Sequence, residues 1–485
     1  MSEIDVENPI CLPCDPKRKL HRYLMLFFMC FICFGSYFCY DNPAALQDTF
    51  LNVLNMDVTA FMKMYSLYSW PNVILSFIGG YLLDNVFGLR WGAFIFATII
   101  LIAQLIFAAG VYTNVLWVIY LGRFLYGIGG ESLCVAQNTY CISWFPMSEI
   151  NFVFGLQLSI SRLGSTVNMN VMDKLYKYIA SNVSYTGSQA LGIALFIAGI
   201  TCIYSLVCSG IMIYFDRRKE ILLSIIKDSD DKGENASLAS DDNTISNADD
   251  EELIEKKNKK KTKKMGFSLV EILYFPAAIW WICLICVFYY ISVFPFVAVG
   301  QTFFERKFEC SVEYASLVNS MIYIVSAAAC PVLGTLIDCT GKNIFWLAAG
   351  TIITLACHGL FAFIPAGSIP PILLTIVMGL SYSILASSLW PMVGMVLPSK
   401  YHGTAYGIIQ SIQNLGLALS MLLAGVIIDH KGYFFLELTF VAFLYIALAG
   451  VIFIYFWDIK NGGKLNQSAK DRKKEQDEEN CDAEL

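Results

Sequence analysis

Two residues of opposite charge stand where an apolar stretch would be expected to face lipid. Glu131 interrupts a hydrophobic run over 116–144, and Arg162 interrupts another over 152–179. An ionised side chain near the centre of a membrane helix costs about 2.5 to 3.5 kcal/mol on insertion scales, so each needs a partner or a wet surface. Asn138, seven residues and close to two turns after Glu131, returns to the same helix face. Ser159, Ser165, Thr166 and Met169 share a face with Arg162. A guanidinium can hold a carboxylate through its planar fork, and a carboxylate can hold an amine, so the two residues together suit a zwitterion. The same residues support two other readings. One is a Glu131–Arg162 salt bridge that only locks two helices together, or that closes on itself when no ligand is present. The other makes Glu131 a proton carrier.

The elements that must position these groups are membrane spans. Of 485 residues, 57% are hydrophobic and 15% are charged, where a water-soluble domain usually carries about 25% charged residues. Runs of about 20 apolar residues, each enough to cross the hydrocarbon core, predict spans near 22–46, 60–83, 92–111, 116–144, 152–179, 190–214, 277–303, 315–337, 344–364, 371–397, 403–428 and 434–457. The expected architecture is therefore an all-α membrane protein. It has a tail (1–21), a six-helix bundle (22–214), a largely disordered loop (215–276), a second six-helix bundle (277–457) and a second tail (458–485). The longest polar stretches, 216–268 and 458–485, are smaller than most catalytic domains, so an enzyme is not expected. With residues near span ends counted to the nearer side, 25 of the 33 Lys and Arg residues fall on the side holding both termini, 6 on the opposite side, and 2, Arg123 and Arg162, deep within spans, so the termini are expected in the cytosol.

Other features narrow the class further. The net charge of -6 averages an acidic and a basic segment of one loop and gives no footing for nucleic acid. Eleven of the sixteen cysteines sit in apolar spans, where a thiol behaves as a small hydrophobe. Pairs such as Cys11/Cys14, Cys30/Cys33 and Cys283/Cys286 lack further ligands for a structural zinc site, so no metal or other cofactor is expected. Cys11 and Cys14 have acylation beside the membrane as an alternative to filler. Lys17, Arg18, Lys19 and Arg22 precede a run longer than a signal-peptide core, without a small-residue cleavage site after it; the first span is expected to be its own anchor.

The chain repeats itself. Gly80-Tyr81-Leu82-Leu83-Asp84 recurs as Gly334-Thr335-Leu336-Ile337-Asp338 at an offset of 254, and Pro146, Gly155, Ser159, Ile160, Leu163 and Gly164 recur as Pro398, Gly407, Ser411, Ile412, Leu415 and Gly416 at an offset of 252. Parallel repeats of six spans imply two bundles related by an axis along the membrane normal, with a site between them near the midplane. At the offset of 252, Glu131 corresponds to Ser383, Asn138 to Trp390 and Arg162 to Asn414. A charge pair serving the shared fold alone would be expected in both halves. The asymmetry suggests a ligand site, with Glu131 and Arg162 on the two charges of a zwitterion and Asn138, Ser383, Trp390 and Asn414 completing it.

These features resemble the major facilitator superfamily. Gly80…Asp84…Gly88…Arg90 is similar to the family's first motif with one extra residue, Gly334…Asp338…Gly341-Lys342 is similar to it more closely, and Arg123…Gly127-Ile128-Gly129 resembles the fourth-span motif, with Glu131 departing from the small residue usual nearby. Longer runs, among them G-S-Y-F-C-Y-D-N-P-A-A-L-Q (35–47), G-I-G-G-E-S-L (127–133), R-L-G-S-T-V-N-M-N (162–170) and G-T-A-Y-G-I-I-Q-S-I-Q-N-L-G-L-A (403–418), resemble a lysosomal branch of that superfamily across nearly the whole chain. The resemblance implies the major facilitator fold, twelve transmembrane helices in two six-helix bundles. It also implies export of dipeptides from the lysosome alongside a heavily glycosylated single-span accessory protein. Asp84 and Asp338 stand at cytosolic span ends, where each could accept from the exposed backbone donors of another helix. The resemblance implies that these contacts, with Gly80, Gly334 and Lys342, gate the cytosolic side.

The remaining signals are local. Asp41-Asn42-Pro43 inside span 1 predicts a bend and is a gate candidate. Arg123 is expected to pack on neighbouring helices and carbonyls, and His358 to be satisfied within its bundle. Tyr68, Trp70 and Tyr290 either line the cavity or serve as packing and interface aromatics. Asn182-Val183-Ser184 is a glycosylation acceptor on the side opposite the termini. Asp249, Leu253 and Ile254 fit an acidic dileucine sorting pattern in the central loop. These readings, with the dipeptide and the lysosome supplied by the resemblance, lead to the expectation of an alternating-access uniporter of dipeptides in the lysosomal membrane. A proton-coupled carrier of a sugar or organic anion, or a non-transporting sensor or escort, is the alternative.

Overall fold

The computed structural model describes residues 19–238 and 274–474, apart from 57, 183, 184, 186, 469, 472 and 473. Cys11, Cys14 and the expected sorting residues Asp249, Leu253 and Ile254 lie outside the described residues. Span 1 is broken into α1 (Lys19–Phe31), α2 (Phe34–Tyr40), α3 (Asn42–Ala45) and α4 (Gln47–Val53). The break at Asp41 follows from Pro43, which sits in the first turn of α3, where its missing N–H forfeits no helical bond. The bend expected at Asp41-Asn42-Pro43 is present.

The other crossings are long helices: α5 (Val58–Leu82), α6 (Gly88–Tyr112), α7 (Leu116–Trp144), α8 (Ile150–Asn182) and α9 (Gly187–Leu238), then α10 (Ala277–Phe308), α11 (Val312–Thr340), α12 (Asn343–Phe363), α13 (Pro371–Val396), α14 (His402–Lys431) and α15 (Tyr433–Lys460). With span 1 counted once, they make six crossings on each side of the central loop, and no strand occurs among the described residues. By length and composition alone, nine stretches among the described residues qualify as spans. One of them, Lys63–Tyr112, holds both α5 and α6, and α7 and α8 do not qualify. The two helices too polar to qualify are those that carry Glu131 and Arg162.

Polarity is arranged inside out. Ile74, Trp117, Val332 and Leu422 are exposed, while Asn72, Gln104, Arg123 and Asn168 are buried; lipid accepts the apolar faces and the interior pairs the polar ones. The bundles meet chiefly along two helix pairs, α5 with α14 and α8 with α11, with smaller contacts of α7 with α14 and α8 with α13. Small residues let the backbones close. A Cβ on Gly407 would stand 2.6 Å from the Ser76 carbonyl oxygen and 3.2 Å from Gly80 Cα. One on Gly334 would stand 3.0 Å from Phe152 Cα, and one on Gly155 3.0 Å from the Cys330 carbonyl carbon.

Two departures from the expected boundaries have identifiable causes. The central loop does not begin at 215, because α9 continues to Leu238, about 36 Å past the expected end of its span. Its first extra turns are fastened to the bundle: Arg90 pairs with Asp216 and, at 2.6 Å, with Glu220. Trp144 Nε1 donates to Asp216 at 3.2 Å, and Lys219 Nζ lies 4.1 Å from the Trp144 ring centroid. The second departure concerns the extra residue after Asp84. Leu83–Phe87 form a π-helical turn, whose wider hydrogen-bond spacing absorbs an inserted residue. Gly88 then takes φ +68, matching Gly341 at φ +66, a left-handed conformation that favours glycine.

Candidate functional site

Glu131 lies at the middle of α7, half-buried. Its Oε1 accepts from the Tyr68 hydroxyl of α5 at 2.9 Å, and its Oε2 accepts from Gln410 Nε2 of α14 at 2.5 Å. Asn414, one turn beyond Gln410, also reaches the carboxylate, and its Nδ2 donates to the Gln410 carbonyl at 3.0 Å. The acid of the first bundle is thus held by neutral groups, including two from the second.

Arg162, on α8, is 8% exposed. It donates through Nη2 to the Tyr382 hydroxyl of α13. Its guanidinium carbon lies 5.0 Å from the Tyr323 ring centroid, 5.1 Å from Tyr382, 5.8 Å from Phe294 and 5.9 Å from Tyr37. Four aromatic faces stabilise a buried cation, yet Nε has no hydrogen-bond partner. No carboxylate oxygen lies within 4.0 Å of Arg162 among the described residues. A Glu131–Arg162 salt bridge is therefore not formed; the two charges face the interface separately.

The wall extends away from Arg162 through stacked rings. Phe294 stacks on Tyr290 with centroids 5.3 Å apart, and Tyr290 accepts from Trp390 Nε1 at 2.9 Å. Tyr406 in turn donates to the Trp390 carbonyl at 2.9 Å. Trp390 thus belongs to the same aromatic surface as the cage, whereas Asn138 and Ser383 are turned elsewhere. Asn138 Oδ1 accepts from Gln157 Nε2 at 2.5 Å, tying α7 to α8. Ser383 is fully buried and donates to the Gly379 carbonyl of its own helix at 2.8 Å. Tyr37, Phe294, Tyr323, Tyr382 and Gln410 were not anticipated from sequence.

At the end of the bundles that adjoins the central loop, carboxylates capping helix N-termini join them. Asp84 Oδ1 accepts from Gly403 N at 3.2 Å, and its Oδ2 from Thr404 N and Thr404 Oγ1, each at 2.6 Å. Asp338 Oδ1 accepts from Asn151 N at 3.4 Å and Asn151 Nδ2 at 2.8 Å, and its Oδ2 from Phe152 N at 2.8 Å. These are the first turns of α14 and α8, where exposed N–H groups and the helix dipole both favour an anion. Gly80 faces Gly403 and Gly334 faces Asn151 with no room for a side chain. Lys342 is exposed, and its backbone N–H donates to the Asn466 carbonyl at 2.9 Å.

The remaining expectations can be placed. Arg123 donates to the Tyr40 carbonyl at 3.2 Å and lies 4.3 Å from the Phe107 ring centroid, the packing role expected of it. Trp70 is exposed on the outer surface, while Tyr68 and Tyr290 are in the interior cluster. His358 Nδ1 meets Glu437 Oε2 at 2.7 Å, both fully buried in the second bundle. Asn182 ends α8.

Two cross-braced six-helix bundles with a polar midplane define a membrane carrier, and the chain belongs to the Major Facilitator Superfamily, whose family model matches residues 26–390 and 280–478. The narrower resemblance is borne out by relatives. The lysosomal dipeptide transporter MFSD1 of Danio rerio is 46% identical over 467 residues, covering 96% of this chain and 93% of that protein. The MFSD1 proteins of Homo sapiens and Gallus gallus are 46% and 42% identical, each with 96% of this chain and 92% of the relative covered. Among solved structures, the transporter FucP in its outward conformation aligns with a TM-score of 0.66 at 11% identity, over 89% of this chain and 99% of that one. The proton:xylose symporter XylE aligns at 0.63 and 12% identity, over 90% and 96%. These two share the fold. The chain is accordingly a multi-pass membrane transporter and not an enzyme.

Proposed function

We propose that this chain is an alternating-access uniporter that carries dipeptides from the lysosomal lumen to the cytosol. The observation that carries this reading is the separation of Glu131 and Arg162: two ions of opposite sign, on consecutive helices of one bundle, bonded to neutral groups instead of to each other. A dipeptide brings an amine for Glu131 and a carboxylate for Arg162, while the ring surface from Tyr382 to Trp390 tolerates varied side chains. The names of the relatives supply the same substrate class and compartment. Asp84 and Asp338, with the glycine contacts at Gly80 and Gly334 and with Lys342 at the adjoining turn, act as the cytosolic gate that opens as the bundles rock. Asp41-Asn42-Pro43 lets span 1 bend during that motion. The termini face the cytosol, Asn182 receives a glycan in the lumen, and a glycosylated single-span subunit accompanies the chain.

The test uses purified protein in proteoliposomes loaded with labelled dipeptides, amino acids or sugars. Dipeptides with both termini free should leave the vesicles, whereas N-acetylated or C-amidated forms should leave at least about tenfold more slowly, each having lost one charge-assisted contact. Equal flux of the blocked forms would refute the zwitterion site. Efflux that vanishes without an imposed pH gradient would refute uniport.

A further inference from the structure

The midplane holds two bonds that a bound dipeptide would have to replace. Gln410 Nε2 donates to the Glu131 carboxylate at 2.5 Å, and the Tyr382 hydroxyl accepts from Arg162 Nη2. Both partners come from the second bundle, and both are neutral. Each offers the function that a substrate terminus would offer: an N–H for the acid, as an ammonium gives, and an oxygen lone pair for the guanidinium, as a carboxylate gives. Helix α7 corresponds to α13 and α8 to α14, so the two bonds join equivalent helix pairs, although Tyr382 stands one position before the repeat partner of Glu131 and Gln410 four positions before that of Arg162.

We propose that Gln410 and Tyr382 are substrate surrogates: positioning residues that occupy Glu131 and Arg162 when no dipeptide is bound, and so allow the empty carrier to change face. This rests on the dipeptide reading above and deepens it. A carrier that completes net transport must return unloaded, passing through a state closed on both sides. There, two unpartnered ions would be stranded in low dielectric. A donor and an acceptor supplied by the opposing bundle make the empty closed state resemble the loaded one. Without them, a carrier would cross readily only when loaded, and would exchange substrates rather than transport them net. Tyr68 cannot fill this role, because it lies in the same bundle as Glu131 and moves with it.

The experiment separates the two modes. Proteoliposomes holding the full chain are loaded with an equimolar mixture of labelled alanyl-alanine, lysyl-alanine and glutamyl-alanine. Net efflux into buffer is compared with exchange against the unlabelled mixture outside. Tyr382→Phe keeps the ring over Arg162 and removes the acceptor; Gln410→Met keeps the length and removes the donor. Each variant should raise the ratio of exchange to net efflux about tenfold, the loss of a hydrogen bond to a charged group weighing more on the empty return than on the loaded crossing. If both rates fall together, or neither changes, the two residues are ordinary structural contacts and the proposal is wrong. Should one variant fail to fold, as judged by thermal unfolding, the other yields the same ratio. Absence of movement of any of the dipeptides by the unsubstituted chain, in efflux and in exchange alike, overturns the dipeptide reading and this inference with it.

Discussion

The contacts between the bundles on the side of the central loop and the contacts at the midplane are built on opposite plans. On the loop side, Asp84 caps Gly403 and Thr404, and Asp338 caps Asn151 and Phe152. The acceptors are 254 residues apart and the donors 252, so a single device is used twice, with a glycine beside each carboxylate in both copies. At the midplane the repeat is broken. Glu131 faces neutral groups, Arg162 sits in an aromatic cage, and their counterparts Ser383 and Asn414 carry no charge. Symmetry persists where two bundles must open about a common axis. On the proposed reading it is lost where the molecule bound between them is itself asymmetric, with one positive and one negative end.

Substitutions can break or sharpen this contrast. The largest effect is expected at Arg162. Arg162→Ala should reduce dipeptide flux about a hundredfold or more, since a lost buried charge contact is worth roughly 3 to 5 kcal/mol, while the protein still unfolds cooperatively when heated. Arg162→Lys should restore little, because an ammonium lacks the planar fork. Flux retained by Arg162→Ala would remove the ligand from the asymmetric region. Next comes Glu131→Gln, which should erase most of the preference for a free over an acetylated N-terminus, about tenfold, in competition assays. A preference that survives would place the amine elsewhere.

The symmetric region predicts equality. Asp84→Asn and Asp338→Asn each remove the charge from a carboxylate that receives backbone donors, costing about 1.5 to 3 kcal/mol of the cytosol-closed state. Both should speed modification of the cytosolic gate by a thiol reagent at a cysteine placed beside it, and by similar factors. A large effect from one and none from the other would show that the two copies have diverged in use.

How far these regions could be read from sequence follows their construction. The twelve crossings were legible because an apolar run is a local signal, and α7 and α8 were legible as spans even though their polarity excludes them by composition alone. The paired aspartates Asp84 and Asp338 that join the bundles were legible through the repeat. The residue inserted after Asp84 looked like a departure from the motif, because only the π turn over Leu83–Phe87 shows how it is absorbed. The aromatic cage was not legible. Phe294, Tyr323, Tyr382 and Tyr37 come from three helices of one bundle and one of the other, and aromatic residues in membrane spans are ordinarily packing. The available hints were adjacency: Tyr382 is next to the repeat equivalent of Glu131, and Gln410 is one turn before that of Arg162. The length of α9 was hidden as well, since it depends on Arg90 meeting Asp216 and Glu220 across helices.

The smallest expected effect falls on Ser383, where sequence equivalence and geometry disagree. Its place in the repeat is that of Glu131, which made it a binding candidate, but its hydroxyl donates to Gly379 one turn back, and the side chain is wholly buried. A serine bonded to its own helix adds little to stability and can even bend the helix slightly. Ser383→Ala should therefore change thermal stability by no more than about 0.5 kcal/mol and leave dipeptide flux within about twofold. Tyr382, its neighbour, should be far more sensitive, because it points to Arg162 from a position offset by one residue, about 100° around the helix. Comparable losses from Ser383→Ala and Tyr382→Phe would mean that the helix presents the repeat-equivalent face to the ligand after all. In that case the second bundle would contribute to recognition by the same register as the first, and the midplane would be less asymmetric than Glu131 and Arg162 make it.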